Sequence, residues 1–456
     1  MARTPLFRTG TRRHPRGVAL ALAGVLAAAV STSGSAIAAD GAADVVPRPT
    51  AATSEAVMTP TTPSLAETAA EAEISAAPSQ SSRILFDGGD ESFNGLRYHS
   101  FRIPALIRTN RDTLIAFAEG RASNNRDFGN INLLYKRSTD DGASWSGLNE
   151  VVGRGQGTWG NPTPVVDRTD NRIWLFMNHQ PEGSGTVDSW DDRQVWVSSS
   201  SDDGVTWTDP VNMSDTLKPR TRADGSSWNW DAIGPGVGIQ TTVRDPGRLV
   251  IPAQHRNIYS DDHGETWQVE VMRTTSGAPM EETGESTILE LADGSLYRND
   301  RPTTATAERG KRRWVSRGSI ENGFTPFAPA SCLLDPINEA STMRYNSDEP
   351  ARLAFVNSAS TETRTRMRIR MSEDEGRTWG YSRPFSDAPL SGESSTYREG
   401  GYSSIAKTAD YHVGALIEVN ENTGSSATSN RSIAFRKVNL PWIQGGVDEP
   451  GCSGGL

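Results

Sequence analysis

Short apolar segments, separated by turn residues, recur along the chain from about residue 83 onward. Examples occupy residues 114–118, 131–135, 194–197 and 367–371. Runs of this length, bounded by Gly, Asp, Asn or Pro, are typical of β-strands, because a strand needs only a few residues to bury one face. The composition, with 35% apolar residues and 12 Trp, is also polar and rich in Trp, as in β proteins rather than helical ones. The pattern therefore predicts an all-β chain built from short antiparallel strands.

A polar octapeptide of the form S-x-D-x-G-x-x-W follows several of these segments. It occupies residues 138–145, 200–207, 260–267 and 372–379, so its starts are 62, 60 and 112 residues apart. The last interval is about two steps of 56, and a degraded copy at residues 319–326 lies within it. Asp can bond nearby backbone N–H groups and Gly accepts a positive φ, so each copy predicts a hairpin turn whose Trp packs back as an apolar plug.

A repeat with so long a period indicates repeated supersecondary units. At about 60 residues per unit, the stretch after residue 82 has room for six. We therefore predict that residues 83–456 form a six-bladed β-propeller of four-stranded antiparallel blades. The octapeptide also occurs in propellers without catalytic activity, so function has to be argued from other residues.

The first 82 residues are predicted to lie outside this fold. Residues 1–39 begin with a basic segment, continue with an apolar run of about 13 residues at 18–30, and end in small residues near Ala38 and Ala39. This is the pattern of a secretory signal peptide, and it predicts a secreted protein. Residues 40–82 are rich in Ala, Thr, Ser, Pro and Glu, which predicts a disordered linker or propeptide. We expect no membrane anchor.

The net charge and the residue composition limit the binding partners and cofactors that we expect for this chain. The formal net charge of the chain is −10, which disfavours nucleic acid and anionic membranes. The sequence has 6 histidines and no zinc-like cluster, so we expect no metal and no cofactor. Cys332 and Cys452 could form a disulfide after export, but their spacing leaves this open. We expect a monomer.

Several polar residues fall where predicted strands end. Arg102 stands two residues before Pro104, which should mark a strand end or edge because Pro cannot donate to a ladder. Glu285 begins a predicted strand and Arg301 ends its partner. Asp127 lies on the polar loop at 122–130. Strand ends near the axis of a propeller are where a ligand would bind. The long loop at 181–193, with one Trp and three Asp, could overhang such a pocket.

Taken together, these motifs are similar to those of a known family. The tetrapeptide F-R-I-P at residues 101–104, the repeated Asp boxes and the segments at 116–121, 160–164, 238–240 and 401–403 resemble the exo-α-sialidases, or neuraminidases, of the bacterial and animal type. The resemblance covers residues 83–440. A single Asp box is weak support, whereas the ordered combination of these motifs is specific.

The resemblance implies a set of site residues. It implies a triad of arginines for the substrate carboxylate, an acid/base, a tyrosine nucleophile with its paired glutamate, a glutamate that steadies the first arginine and a further arginine lining the pocket. In that order they are Arg102, Arg301 and Arg364, Asp127, Tyr402 with Glu285, Glu418, and Arg121. Arg366 is a rival for the third triad position and Tyr397 for the nucleophile.

The chemistry of sialic acid explains these residue types. The sugar carries a carboxylate on its anomeric carbon, which three guanidiniums can hold with planar bonds. A carboxylate nucleophile would be repelled by that charge, and a phenol would not. Sialidases with a Tyr nucleophile are a documented exception to the two-carboxylate rule of glycosidases. The resemblance thus implies a retaining hydrolase acting on sialylated glycoproteins, glycolipids or oligosaccharides.

Other functions remain open from the sequence. A relative could act on a different nonulosonic or ulosonic acid, for example one without the N-acetyl group, or could transfer the sugar as a trans-sialidase. The triad would serve each of these. A catalytically silent carbohydrate-binding propeller is a third alternative, although it need not keep an acid, a base and a tyrosine together. Linkage preference is not determined.

Overall fold

Antiparallel strands form the regular structure of the chain. The computed structural model describes residues 76–153, 157–181, 185–281, 283–303, 311–385, 398–420, 431–445 and 452–453. These belong to one compact unit, Thr62–Leu456. The expected signal peptide at 1–39, most of the expected linker at 40–82, and Tyr397 lie outside the described residues. Within the described ranges, no helix combines the length and apolar character needed to cross a membrane.

One sheet joins the two ends of the fold. Its first strand begins at Gln80, three residues before the boundary expected at Arg83, because it pairs with the last long strand from Gln80↔Val438 onward. With strands numbered in chain order, its members are β1 (Gln80–Phe86), β26 (Arg398–Lys407), β27 (Val413–Asn420) and β28 (Ser432–Val438). Their order across the sheet is β1-β28-β27-β26. A small hairpin, β2 (Ser92–Phe93) and β3 (Leu96–Arg97), follows β1 in the chain.

The largest sheet has eight strands and consists of two antiparallel meanders. A single parallel pair, Ile131↔Thr158, connects the meanders. The first meander contains β4 (Ser100–Arg108), β5 (Leu114–Arg121), β6 (Ile131–Ser138) and β7 (Asn149–Val152). The second contains β8 (Thr158–Val166), β9 (Ile173–Gln180), β10 (Gln194–Ser200) and β11 (Val211–Asn212).

The remaining strands form three further large sheets and one small pair. The first contains β12 (Ile239–Gln240), β13 (Leu249–Ala253), β14 (Arg256–Ser260) and β15 (Gln268–Val271). The second contains β16 (Thr283–Glu290), β17 (Leu296–Pro302), β18 (Arg312–Ser319), β19 (Gly323–Phe324) and β20 (Ala328–Leu334). The third contains β21 (Ser341–Asn346), β22 (Arg352–Ser358), β23 (Met367–Ser372) and β25 (Tyr381–Pro384), and β24 (Thr378–Trp379) pairs with β29 (Cys452–Ser453).

Helices are few and short in the described ranges. They are a 3₁₀ turn at Trp190–Asp192 and two α-helices, α1 (Ser214–Leu217) and α2 (Leu440–Gln444). The arrangement is all-β and propeller-like, which confirms the predicted class. The expectation of six separate four-stranded sheets is not met by the hydrogen bonding, which gives three sheets of four strands, one of five and one of eight. The pair Ile131↔Thr158 continues the ladder between two neighbouring meanders and merges them.

The Asp boxes form the predicted turns. In the first box, Asp140 accepts hydrogen bonds from the backbone N–H of Ser144 (2.8 Å) and from the hydroxyl of Ser138 (2.8 Å), whose oxygen in turn accepts the Gly142 N–H at 2.8 Å. Gly142 has a φ of 84°. The same bonds recur in the boxes that begin at Ser200, Ser260 and Ser372.

The box tryptophans pack where sheets and meanders meet. Trp145 contacts Phe435 of β28 edge-on at 5.1 Å between ring centroids, and Trp207 contacts Phe117 of β5 in the same way at 5.6 Å. Trp207 therefore joins the second meander to the first, and Trp145 joins the first meander to the closing sheet. The boxes hold neighbouring sheets together.

One disulfide involves the described part of the chain. Cys332 is disulfide-bonded. The disulfide that the sequence left open thus involves Cys332.

Candidate functional site

Arg102 lies where strand β4 changes register. The pairing with β5 shifts between Arg102 and Ala105, and Ile103 has a φ of 56°. Pro104 lies inside β4. This strand is the edge of its sheet, so the edge position expected for Pro104 is confirmed. A proline is tolerated there because the edge and the bulge remove the need for its missing N–H. A bulge re-aims the side chains beside it. Here it turns Arg102 toward the last sheet.

Glu418 fixes this arginine. It is fully buried and accepts the Arg102 Nε at 3.0 Å and Nη2 at 3.1 Å, a bidentate pair. It also accepts the backbone N–H of Ile103 (2.9 Å) and of Tyr402 (3.1 Å). Burial raises the pKa of Glu418, but Arg102 and the Ile103 N–H outweigh this effect and the net pKa is lowered. Glu418 thus ties the bulge of β4 to the strand that carries the tyrosine.

Tyr402, Glu285 and Arg301 form a closed triangle of hydrogen bonds. The Tyr402 hydroxyl donates to Glu285 Oε1, while Arg301 Nη1 donates to Glu285 Oε2 and, at 2.7 Å, to the Tyr402 oxygen. Tyr402 is 5% exposed. Burial raises the pKa of Tyr402, Arg301 opposes that rise and Glu285 adds to it. The resting phenol is therefore protonated, with a carboxylate in place to accept its proton.

The other two predicted triad arginines face the same ring. The guanidinium carbon of Arg102 lies 5.2 Å from the centroid of the Tyr402 ring, and that of Arg364 lies 5.5 Å from it. Arg364 also donates to the Ile337 carbonyl at 3.4 Å. The rival Arg366 is exposed and has a φ of 59°. The structure thus brings Arg102, Arg301 and Arg364 together around one tyrosine.

Asp127 and Arg121 lie beside Arg102. Asp127 Oδ1 accepts Arg121 Nη1 at 2.8 Å and Arg102 Nη1 at 3.1 Å, although the Asp127 side chain is 74% exposed. Partial desolvation raises the pKa of Asp127, but Arg121 and Arg102 outweigh it and the net pKa is lowered. Arg121 is held by Glu119 through two bonds of 2.7 and 3.2 Å. All eight predicted site residues thus belong to one connected cluster.

Three residues near the cluster were not predicted from the sequence. Glu119 positions Arg121, and its place two residues away on the same strand was a usable signal, since alternate residues share a face. Glu339 is a buried carboxyl whose Oε2 accepts the Ser403 N–H at 2.8 Å, directly after Tyr402. Arg193 ends the loop that was expected to overhang a pocket. Neither Glu339 nor Arg193 stands in a motif.

The residues that the structure describes at the site include no recognisable metal centre. Among the described residues, no group of three or more His, Cys, Asp or Glu side chains could hold a metal ion. What the cluster offers is positive charge for an anionic ligand, a protonated phenol and carboxylates that can exchange protons.

Comparisons with known proteins agree on one family. A family model described as a BNR repeat-like domain matches residues 112–415. An exo-alpha-sialidase of Aspergillus fumigatus is 45% identical over 383 residues, covering 78% of this chain and 88% of that protein. A sialidase of Micromonospora viridifaciens is 31% identical over 396 residues, covering 80% of this chain and 55% of that protein. The solved structure of the Hadza microbial sialidase Hz136 matches with a TM-score of 0.62 at 27% identity, covering 76% of this chain and 67% of that one.

Proposed function

Because the chain belongs to the exo-α-sialidase family of glycoside hydrolases, we propose that it cleaves terminal sialic acid from glycans with retention of anomeric configuration. The observation that carries the proposal is the environment of Tyr402. Its hydroxyl is bonded to Glu285 and Arg301 together, and Arg102 and Arg364 flank its ring. No simpler structural role requires three guanidiniums around one buried phenol.

The three arginines would bind the substrate carboxylate. Guanidiniums match a carboxylate with planar, partly bidentate hydrogen bonds. Arg102 is already oriented by Glu418 and Arg301 by Glu285, so little side-chain freedom is lost on binding. The anomeric carbon, which bears the carboxylate, would then lie next to the Tyr402 oxygen.

Tyr402 would act as the nucleophile and Glu285 as its base. An unperturbed phenol has a pKa of about 10, and burial raises that of Tyr402 further. The phenol therefore cannot be ionised in advance and must lose its proton as it attacks, which the hydrogen bond to Glu285 allows. The bond from Arg301 would stabilise the negative charge that develops on the phenol oxygen.

Asp127 would be the acid/base, and substrate binding would prepare it. In the free protein Arg121 and Arg102 lower its pKa. A substrate carboxylate bound to Arg102 would offset that positive charge, so the pKa of Asp127 would rise and the side chain could carry a proton to the leaving oxygen. It would then take a proton from the water that releases the sugar from Tyr402. Two displacements at one carbon retain its configuration.

We also propose the number of propeller blades and the cellular location of the protein. We take the eight-stranded sheet as two blades that meet at Ile131↔Thr158, which makes six blades in all. Contacts between their first strands run from β4 to β8, β12, β16, β21, β26 and back to β4, a closed cycle that supports this count.

The basic and apolar segments in residues 1–39 support secretion. We expect the protein to act as a monomer on sialylated glycoproteins, glycolipids or oligosaccharides.

The experiment combines turnover with trapping of the nucleophile. The wild-type protein should release the aryl group of an α-sialoside and should be labelled by a 2,3-difluoro sialic acid on Tyr402, as read by peptide mass spectrometry. Tyr402→Phe should remove the label and reduce kcat by several orders of magnitude. Tyr397→Phe, the matched control, should keep both. A label on Tyr397, or no turnover by the wild type, would disprove the assignment.

A further inference from the structure

A cavity lies at the ends of the six strands that begin the proposed blades. Its volume is about 480 Å³, which is in the usual range for sites that bind small molecules. Its lining includes the last residue of each of these strands: Arg108 of β4, Val166 of β8, Gln240 of β12, Glu290 of β16, Asn346 of β21 and Lys407 of β26. Because the six strands contact one another in a cycle, the cavity lies at the axis around which they are arranged.

The catalytic cluster lies toward the other end of the same strands. In β4, Arg102 is close to the first residue, whereas the cavity is lined by the last residue, Arg108. In β26, Tyr402 likewise precedes Lys407. At about 3.3 Å per residue, each pair is separated by roughly 15–20 Å along its strand. A small ligand in the cavity would therefore leave the catalytic site open.

Two arginines of the lining carry positive charge that the protein compensates only weakly. Arg108 is half-buried, and its ion pair with Asp112 is long, at 3.5 Å, with the aspartate side chain 63% exposed. Such exposed pairs contribute little. Arg168 donates from Nη1 to the amide oxygen of Asn110 at 3.0 Å, which is a neutral acceptor. Among the residues that the structure describes, Arg168 forms no ion pair with a carboxylate.

These two guanidiniums also repel each other. Arg168 is exposed, but its surface lines the cavity. Desolvation there and repulsion by Arg108 lower the pKa of Arg168 to about 10, and Asp112 opposes this effect. Arg168 is therefore still charged at neutral pH. Like charges held together at a partly dehydrated wall cost free energy, and an anion bound between them would relieve that cost.

Two other charged residues of the lining already have protein partners. Glu290 accepts the backbone N–H groups of Thr242 at 2.6 Å and of Arg244 at 2.9 Å. Arg344 forms a salt bridge of 2.6 Å with Glu375. The carboxylate of Glu290 is thus held by backbone donors and does not neutralise the two arginines at the ends of neighbouring strands.

Part of the cavity wall is apolar. Val237, Ile239 and Met343 are half-buried members of the lining, and each packs against a different cluster of the hydrophobic core. Their exposed surfaces would gain from contact with an apolar group. This combination of guanidiniums and apolar side chains favours a ligand with both characters over an inorganic anion or a polyhydroxylated sugar.

We propose that this cavity binds an organic acid that has an apolar chain. Its carboxylate would lie between Arg108 and Arg168, because guanidiniums match a carboxylate with planar hydrogen bonds. Its chain would cover Val237, Ile239 and Met343. The site is additional to the proposed sialidase site and does not require it.

Isothermal titration calorimetry with three probes at equal ionic strength tests this proposal. Octanoate has the carboxylate and the chain, 1-octanol has the chain without the charge, and acetate has the charge without the chain. Octanoate should bind, and the other two should bind on the order of 10-fold or more weakly because each lacks one kind of contact. Arg168→Gln should weaken octanoate binding by a similar factor, and Arg108→Gln should act in the same direction.

The matched control is Arg172→Gln. Arg172 follows on the same loop, pairs with Asp170 at 3.6 Å and is not part of the lining, so this change should leave octanoate affinity unaltered. Circular dichroism verifies that each variant is folded. Undiminished binding to both Arg168→Gln and Arg108→Gln would overturn the proposal, as would equal affinity for 1-octanol. Acetate bound as tightly as octanoate would indicate an adventitious ion only.

A second set of titrations separates this cavity from the catalytic arginines, which could also attract a carboxylate. Octanoate is titrated again with a saturating concentration of a planar sialic acid analogue present. Unchanged octanoate affinity supports the separate cavity, whereas competition between the two ligands would assign octanoate to the catalytic site and overturn the proposal. Failure of the wild type to cleave sialosides would overturn the proposed function alone, because the titrations do not depend on turnover.

Discussion

Glu339 is a buried side chain that constrains the site although it belongs to no sequence motif. It is 2% exposed, and its Oε1 has no hydrogen-bond partner among the described residues. Burial raises the pKa of Glu339 well above its usual range; the carboxylates of Glu285 and Glu418 add to the rise, while the Ser403 N–H and Arg313 oppose it. The neutral acid is therefore the form that the fold favours. The neutral Glu339 side chain accepts the N–H of Ser403, next to Tyr402. It adds no third negative charge to those of Glu285 and Glu418.

This predicts a specific dependence of stability on pH. The folded protein keeps the Glu339 proton at pH values where the unfolded chain, with a carboxyl pKa of about 4.3, has lost it. The free energy of unfolding should therefore fall as pH rises through this window, by about 1.4 kcal/mol per pH unit from this group. Glu339→Gln keeps a neutral acceptor for Ser403 and removes the titration.

Urea unfolding of both proteins between pH 5 and 8 provides the measurement. The stability of Glu339→Gln relative to wild type should increase steadily with pH until the folded carboxyl ionises. A constant difference across the range would mean that Glu339 is ionised in the folded protein.

At the scale of elements, bulges act together with strand ends to present the catalytic side chains. Glu285 lies near the start of β16 and Arg301 near the end of β17, as expected from the sequence. Register shifts occur in β4 after Arg102, in β16 between Thr283 and Ser286, and in β26 between Glu399 and Ser403. Gly401 in the last of these has a φ of 133°. A regular strand would alternate its side chains between the two neighbouring sheets, whereas a bulge turns one of them out of that alternation.

The Asp boxes should contribute to stability and not to catalysis. Asp202 Oδ1 accepts the N–H of Thr206 at 2.9 Å and of Val205 at 3.1 Å. Asp202→Ala leaves these donors to solvent and should cost about 1–2 kcal/mol, lowering the thermal midpoint by about 2–5 °C. Asp209→Ala, an exposed change just after the box, is the control. Calorimetry should show the difference, with kcat unchanged in both.

The stability difference between wild type and Asp202→Ala should also depend on pH in the acidic range. Partial burial raises the pKa of Asp202, but hydrogen bonds from Thr206 outweigh it and lower the pKa to about 2. A depressed pKa stabilises the fold above the unfolded value, near 3.9, and this contribution is lost as pH falls through the folded value. The stability difference between wild type and Asp202→Ala should therefore shrink from pH 4 toward pH 2. A gap that persisted there would point to a cause other than the ionised carboxylate.

At the scale of the whole molecule, the site depends on joining the two ends of the chain. Arg102 of β4 forms a salt bridge with Glu418 of β27, in the sheet that joins the two ends of the fold. That sheet is completed by β1, which pairs with β28 and buries Leu85 and Phe86 (4% and 0% exposed). Without β1, the edge of β28 would be unpaired and two apolar side chains would lose their burial.

Truncation tests this closure. A chain that starts at Asp87 should melt on the order of 5–10 °C lower than one that starts at Ala76, because two buried apolar side chains are worth about 3–6 kcal/mol. It should also aggregate at its open edge. Thermal unfolding followed by circular dichroism gives the midpoints, and light scattering detects aggregation. Equal midpoints for the two chains would show that the fold does not rely on β1.

The sequence by itself determined what local chemistry can encode. The short apolar runs specified strands, because a strand needs only a few residues to bury one face. Each box specified its own turn, because Ser, Asp and Gly within a span of five residues satisfy one another's hydrogen bonds. The types and order of Arg102, Asp127, Glu285, Arg301, Arg364, Tyr402 and Glu418 were enough to nominate a site.

Only the tertiary structure decided how those residues act together. Tyr402 and Glu285 are 117 positions apart, and Arg102 and Glu418 are 316 apart, so their bonds exist only once the sheets are arranged around them. Pro104 indicated an edge or end of a strand but not the direction in which the bulge turns Arg102. The merging of two meanders through Ile131↔Thr158 and the presence of Glu339 at the site had no local signal. The pKa directions depend on burial and on charges from distant strands, and these quantities are properties of the packed protein and not of any segment of its chain.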